Sequence, residues 1–146
     1  MGESSLNKDK HQIPSTKSET NSKQKMREGE NEKRYDLEER THVFAMRIRA
    51  FCKRLPRTDG NICDGRQLIR SSGSIGANYI EANESLSKKD FLHRIKIARK
   101  EAKESRWWLR LLDTEQDAGL EKTRVELIQE AVELTLILSA IFRNSE

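Results

Sequence analysis

Residues 67–84 have the apolar spacing of a helix but contain small residues that weaken one. Apolar side chains recur there without the alternation that marks a strand: Leu68, Ile69, Ile75, Tyr79 and Ile80. Four small residues lie among them: Ser72, Gly73, Gly76 and Ala77. Because each glycine costs a helix roughly 1 kcal/mol relative to alanine, we expect the two glycines to serve the close approach of another helix. A flexible loop is the alternative.

Three further segments have helical spacing. The first, residues 36–54, ends before Pro56, because the residue preceding a proline is pushed out of the helical region. The glycine-containing helix is expected to begin at about residue 63 or 64. The next begins at Ser87, a predicted cap with Asp90 three residues later, and the last covers about residues 121–143. Turns are predicted at residues 57–61 and 114–120, the second of them broken at Gly119.

The third helical segment carries the most regular apolar seam. Its members follow one another at steps of four and three residues: Phe91, Ile95, Ala98, Ala102, Ser105, Leu109 and Leu112. A seam of this length favours coiled-coil-like packing inside a bundle. The sequence therefore predicts an all-α fold, an antiparallel up-down-up-down four-helix bundle over residues 35–146.

Residues 1–34 differ in composition from the rest of the chain. They hold eight Lys and Arg and six Asp and Glu but, besides Met1, only three large apolar residues: Leu6, Ile13 and Met26. Such a stretch cannot bury enough apolar surface to offset its ordering entropy, which predicts a disordered N-terminal tail. A helical extension from about Ser22 is the alternative. The tail has no apolar run of a signal peptide, and its acidic residues argue against a transit peptide.

The chain has no apolar stretch long enough to span a membrane, so we expect a cytoplasmic protein without a membrane partner. Its two cysteines, Cys52 and Cys63, flank the first turn and are expected to be reduced thiols rather than a disulfide. A metal site is less expected still, because the histidines show no ligand spacing around the cysteines. We predict no cofactor.

The last helical segment is apolar around much of its circumference. One seam is flanked by further apolar residues: Val125, Ile128, Val132, Leu136, Ile137 and Phe142. A helix so widely apolar is expected to be covered on a second side, most simply by another subunit. The predicted subunit contacts are Trp108, Leu134, Leu138 and Ile141. A helix buried centrally within one chain is the alternative.

Three runs of residues resemble those of a known family. They are residues 67–82 (QLIRSSGSIGANYIEA), Lys89-Asp90-Phe91 and residues 100–109 (KEAKESRWWL). The chain from about residue 35 to residue 145 resembles the 23S rRNA intervening-sequence protein family of four-helix bundles, and departs from it at Trp107, where a tyrosine is expected. It is also similar to the accessory subunit of diversity-generating retroelements. The resemblance implies a bundle, a homopentameric ring as the common assembly, and contact with nucleic acid or a nucleic-acid-processing protein. It implies no reaction.

A continuous basic stripe runs along the third helical segment. Its four members are spaced by four, three and four residues: Arg99, Lys103, Arg106 and Arg110. Lys96 lies beside the stripe. Three cations of the first helical segment are candidates to extend it: Arg47, Lys53 and Arg54. Such a stripe can neutralise phosphates, which predicts nucleic-acid binding. The competing interpretation is a solvated face balanced by Glu101 and Glu104.

Other function classes find less support in the sequence. Trp107 and Trp108 are expected to point about 100° apart, one into the core and one to the surface or an interface, without a stacking platform for single strands. Five residues are candidates to hold a metal pair: Glu81, Glu84, His93, Glu101 and Glu104. The Glu-x-x-His repeat that such a site requires does not occur. We expect no catalytic activity. A structural or adaptor scaffold that binds another protein is the alternative to nucleic-acid binding.

Overall fold

A computed structural model describes the backbone of residues 17–146 and the side chains of residues 21–28 and 36–146. This part of the chain contains four α-helices and no strand: α1, Lys17–Arg54; α2, Asp59–Asn83; α3, Lys88–Leu111; and α4, Ala118–Asn144. The predicted all-α class is therefore confirmed. None of the four helices is long and apolar enough to cross a membrane.

Helix α1 begins well before the predicted start at residue 35. The chain divides into two units, Met1–Arg34 and Tyr35–Glu146, and α1 has residues in both. The described side chains near its start, residues 21–28, are all exposed. Because a helix without a buried face is marginal in water, the disorder of residues 17–34 in solution stays a prediction. Residues 1–16 of the predicted tail lie outside the described residues.

The starts of α2 and α3 are set by side-chain caps. The Thr58 hydroxyl accepts a hydrogen bond from the backbone N–H of Asn61 at 3.2 Å, so α2 begins at Asp59. This corrects the predicted turn at residues 57–61, whose last three residues form the first turn of the helix, because a hydroxyl acceptor satisfies a helix N–H that a turn would leave free. The Ser87 cap of α3 is confirmed, with its hydroxyl 3.1 Å from the backbone nitrogen of Asp90.

The reversal between α3 and α4 lies earlier than predicted. Glu115 and Gln116 take positive φ values of 50° and 63°, and they turn the chain before α4. The Asp117 carboxylate then caps α4 by accepting from the backbone N–H of Leu120 at 2.8 Å. Gly119, which was expected to interrupt the helical structure between α3 and α4, therefore lies inside the first turn of α4.

Helices α2 and α3 lie side by side and run antiparallel. The hydroxyl of Ser71 in α2 lies 2.9 Å from that of Ser105 in α3, in the buried interface between the two helices. Two turns further along α2, Arg94 donates to the side-chain oxygen of Asn78 at 3.3 Å. As residue numbers rise in α2, those of its partners in α3 fall.

Helix α4 contacts both α1 and α3 in the same antiparallel sense. Ion pairs join Arg40 to Glu130 at 2.7 Å and Arg47 to Glu126 at 3.1 Å. At the other side of α4, Arg124 donates to the backbone carbonyl of Leu112 at 2.9 Å. These pairs are partly or largely exposed, so they contribute orientation more than stability.

The buried apolar side chains of Tyr35–Glu146 form one cluster to which every helix contributes. Phe44 of α1, Ile75 of α2, Ile95 of α3 and Leu127 of α4 are each buried to within 1% of full burial. Truncating such a side chain to alanine typically costs about 2–5 kcal/mol, so this cluster dominates the stability of the unit.

Asn61 links the first turn to the end of α3. Its amide nitrogen donates to the carbonyls of Pro56 and Asp113 at 2.9 and 2.8 Å. Its amide oxygen accepts from the backbone N–H of Asp113 at 2.8 Å. One buried side chain thereby satisfies three backbone groups that no helix pairs. This role is not predictable from the sequence, because an asparagine after a glycine is also typical of an ordinary turn.

Three of the four glycines of α2 face side chains of α1, and one of them permits a close approach. A Cβ at Gly76 would lie 2.7 Å from the Oγ1 of Thr41 and 3.2 Å from its Cβ. The Thr41 hydroxyl is itself held by a 2.8 Å hydrogen bond to the carbonyl of Glu38. At Gly73 the nearest atom is instead the guanidinium end of Arg49, at 3.4 Å. The predicted close approach of a helix is confirmed at Gly76.

Replacing Gly76 should destabilise the protein although alanine is the better helix former. Gly76→Ala is expected to lower the free energy of unfolding by about 1–3 kcal/mol, because α1 must move away from the new methyl group. Gly73→Ala is the matched control in the same helix. Since the tip of Arg49 can move aside, that change should raise stability by up to about 1 kcal/mol. Urea unfolding of both variants checks this, and equal shifts of the same sign would contradict it.

Candidate functional site

The basic stripe of α3 has no acidic partner in the part of the chain that the structure describes. Lys103, Arg106 and Arg110 are exposed and Arg99 is half-buried. None of the four has a carboxylate within 4.0 Å among the side chains that the structure describes. From Arg99 to Arg110 the stripe is about 16 Å long, at 1.5 Å per residue. The arrangement is a row of solvated cations with a common direction.

The two acids expected to balance the stripe bind a different cation. Arg70 of α2 contacts Glu101 at 3.4 Å and Glu104 at 3.0 Å. Desolvation alone would lower the pKa of Arg70, but the two carboxylates outweigh it and hold the pKa above its ordinary value. Glu101 is buried, so this pair faces α2 rather than the stripe. The interpretation of the stripe as a balanced surface therefore loses its counter-charges.

Arg99 contacts an aromatic ring, which the residue spacing does not predict. Its guanidinium carbon lies 5.2 Å from the centroid of the Phe142 ring of α4, a cation–π arrangement. The signal in the sequence is a lone phenylalanine near the end of α4, which by itself indicates only core packing. The contact places the first stripe residue against α4.

The proposed extension of the stripe onto α1 is wrong for Arg47. This side chain forms an ion pair with Glu126 of α4 at 3.1 Å. Lys53 and Arg54 are exposed on α1, but on a helix other than the stripe's own. Lys96, in contrast, is exposed on α3 beside the stripe.

An open groove of about 430 Å³ lies at the N-terminal end of the stripe. Five of its six lining residues carry basic side chains and none carries a carboxylate: His93, Lys96, Ile97, Arg99, Lys100 and Lys103. Both Arg99 and Lys103 belong to the stripe, so groove and stripe form one basic surface.

The two adjacent tryptophans have different surroundings, as predicted. Trp108 is half-buried and packs against the apolar core, where its indole Nε1 is buried without a hydrogen-bond partner. Trp107 is 53% exposed. Trp107 follows Lys103 by one helical turn and is therefore an exception to the expectation that the aromatic residues lie on apolar faces.

Two of the four predicted subunit contacts need correction, while the assignment of Trp108 and Ile141 stays a prediction. Leu134 and Leu138 are fully buried in the core of the chain itself, so neither can contact a second subunit in this conformation. Ile141 and Trp108 are half-buried and pack against the same core. The error arises because α4 uses its longest seam to bind its own chain, which the spacing alone does not distinguish from an interface.

Helix α4 nevertheless exposes apolar side chains on the opposite face. Val125 and Leu136 are 58% and 63% exposed, and their separation of eleven residues returns to nearly the same direction on a helix. Val132 lies between them and is half-buried. This outer α4 face is where a second subunit could cover apolar surface.

The acidic candidates for a metal site do not converge. Glu81, Glu84 and His93 are exposed, while Glu101 and Glu104 are held by Arg70. Among the described side chains, those of residues 21–28 and 36–146, no three His, Cys, Asp or Glu residues come together in a metal-binding group. The expectation of a protein without catalytic activity stays a prediction.

The fold and this surface define the class: an all-helical protein that presents an unpaired basic helix face. The profile of the 23S rRNA-intervening sequence protein family matches residues 33–140, so the chain belongs to that family. A solved structure of the S23 ribosomal protein family from Bacteroides thetaiotaomicron, of unknown function, is similar to it. The two share 30% identity with a TM-score of 0.63, over 73% of this chain and 97% of the other. No curated protein matches the chain.

The two cysteines are free thiols in different environments. Cys52 is half-buried in α1, and burial raises its pKa to about 11, although Arg49 lowers it in part. Cys63 is exposed on α2. The reduced state of both thiols stays a prediction.

Alkylation should distinguish the two thiols. At about pH 8, only roughly a thousandth of Cys52 is the reactive thiolate, so iodoacetamide should modify Cys63 and spare Cys52 in the folded protein. Mass spectrometry of the digested protein measures both. Cys63→Ser should remove the modification, and unfolding in urea should make Cys52 reactive. Equal labelling of both thiols in the native protein would contradict the burial of Cys52.

Proposed function

We propose that the protein is a non-catalytic, cytoplasmic oligomer that binds nucleic acid through the stripe Arg99, Lys103, Arg106 and Arg110. The observation that carries the proposal is the separation of charge on α3. Glu101 and Glu104 are bound to Arg70, while the four cations have no carboxylate partner among the described residues. An unpaired cation is available for a phosphate without first losing a protein partner, and each phosphate contact releases counterions.

The assembly proposed for this function is a ring of up-down-up-down four-helix bundles. The antiparallel contacts of α2 with α3 and of α4 with α1 and α3 support the bundle. The exposed apolar face of α4, with Val125 and Leu136, supports an oligomer. The number five follows from the family resemblance alone, as does the parallel with the accessory subunit of diversity-generating retroelements.

An oligomer would make a modest stripe effective. The chain carries a formal net charge of only +4, so one copy is expected to bind a polyanion weakly. Five stripes on one assembly would bind one nucleic acid several times, and the avidity would exceed the affinity of a single stripe.

Reversing two stripe charges should strongly weaken binding and leave the fold intact. Lys103→Glu with Arg106→Glu is expected to weaken binding of a structured RNA roughly tenfold or more at physiological salt. The slope of log K against log salt should also become shallower by about 1.4–1.8, for two lost phosphate contacts. Both side chains are exposed, so stability should change little. Fluorescence anisotropy at several salt concentrations measures affinity and slope.

The matched control reverses two exposed cations away from the stripe. Arg57→Glu with Arg66→Glu makes the same change in net charge, but on the first turn and on α2. RNA binding should fall only slightly in this variant. If both double variants lose binding equally, general charge attracts the RNA. If neither does, the stripe is not the binding surface.

Oligomerisation should depend on the outer face of α4. Light scattering coupled to size exclusion should give a mass near five times 17.0 kDa for the wild type. Val125→Lys with Leu136→Lys should reduce it towards that of one chain, because two charges would enter the interface. Leu86→Lys is the control, since Leu86 is fully exposed in the turn after α2. A wild-type monomer would refute the oligomer, and an oligomer that ignores RNA would favour the protein-binding scaffold instead.

A further inference from the structure

Trp107 is an exposed aromatic side chain placed among cations. Its 53% exposure is high for a tryptophan, a residue type that is mostly buried. Lys103 lies one turn before it on α3 and Arg110 one turn after it, and both are exposed. Neither cation has a carboxylate partner in the described part of the chain. An indole face is therefore available to solvent between two positive charges.

The basic surface continues from Trp107 towards the start of α3. Lys100 lies two turns before Trp107, and it lines the groove that also contains Lys96 and Lys103. From Lys96 to Arg110 the cations cover about 21 Å of the helix. A strand lying along α3 would meet phosphate-binding cations on both sides of the indole.

We infer that Trp107 stacks on an unpaired base and that the stripe holds the phosphates on either side, so the ligand is a single-stranded segment. The inference rests on the proposed nucleic-acid function and names the form of nucleic acid bound. Single-strand sites combine a positive track with aromatic side chains on which bases stack. In a duplex the base faces are covered by neighbouring base pairs, and an indole on a helix surface has no access to them.

The main rival explanation of the exposed indole is a subunit interface. Leu111, one turn after Trp107, is 48% exposed and could join it in an apolar contact. Interface centres, however, are depleted in charged residues, and Trp107 is bordered by Lys103, Lys100 and Arg110. Burying these cations without carboxylate partners would be costly, which favours a ligand that brings its own negative charge.

The test compares a uridine homopolymer with an RNA duplex that has the same number of phosphates. Trp107→Ala should weaken homopolymer binding about tenfold and leave duplex binding unchanged. The salt dependence of binding should also stay unchanged, because stacking releases no counterions. Trp107→Phe should retain most of the affinity, and Leu111→Ala should retain all of it. Homopolymer should quench the wild-type tryptophan fluorescence but not that of Trp107→Phe, whose remaining Trp108 is packed against the core.

The outcomes separate this inference from the proposed function. If the wild type binds both RNAs and Trp107→Ala changes neither, the stripe function stands and the stacking inference is wrong. If Trp107→Ala lowers the mass of the assembly, the indole belongs to a subunit interface and the inference is wrong. If the wild type binds neither RNA, the proposed function fails and the inference fails with it.

Discussion

The contact of α1 with α2 at Gly76 is the constraint on which the packing of Tyr35–Glu146 depends. Thr41 occupies the space that a β-carbon at this position would need, so the two helices are as close as a glycine allows. The opposite side of α2 is also small, because Ser71 meets Ser105 of α3 through their hydroxyls. Helix α2 thus sits between two neighbours without large side chains at these contacts. The larger apolar residues fill the space that remains, and ion pairs between long side chains nearer the surface join α4 to α1.

This packing also decides which charges are free. Arg70 extends from α2 and draws Glu101 and Glu104 to the side of α3 that faces it. Arg40 and Arg47 are occupied by acids of α4, and Arg124 by Glu121. On the opposite side of α3, the stripe cations have no carboxylate partner in the described part of the chain. A small net positive charge thereby becomes a locally strong one, because Glu101 and Glu104 are bound to Arg70 of the neighbouring helix and the stripe cations lie in a row.

Sequence periodicity predicted the helices well and their ends less well. The Ser87 cap was correct, since its signal is local. The start of α2 was placed too late because Thr58 caps it, and the sequence Asp-Gly-Asn that follows is also that of a turn. Leu134 and Leu138 were assigned to an interface because spacing identifies an apolar seam without identifying its partner. The stripe was predictable from residue steps alone. Its lack of acidic partners and the exposure of Trp107 were not, since both depend on where Arg70 and the core lie.

The ring of Phe142 beneath Arg99 has a consequence for how the basic surface meets an anion. A guanidinium resting on an aromatic face keeps the N–H donors at its edge, whereas a lysine ammonium in the same place would remain mobile and strongly hydrated. Arg99 is therefore partly immobilised before any ligand arrives, and little rotamer entropy remains to be lost on binding. One end of the stripe is a fixed anchor and the exposed side chains beyond it are adaptable. Arg99 can hold an anion at a defined position, and the exposed side chains beyond it can adjust to the rest of the ligand.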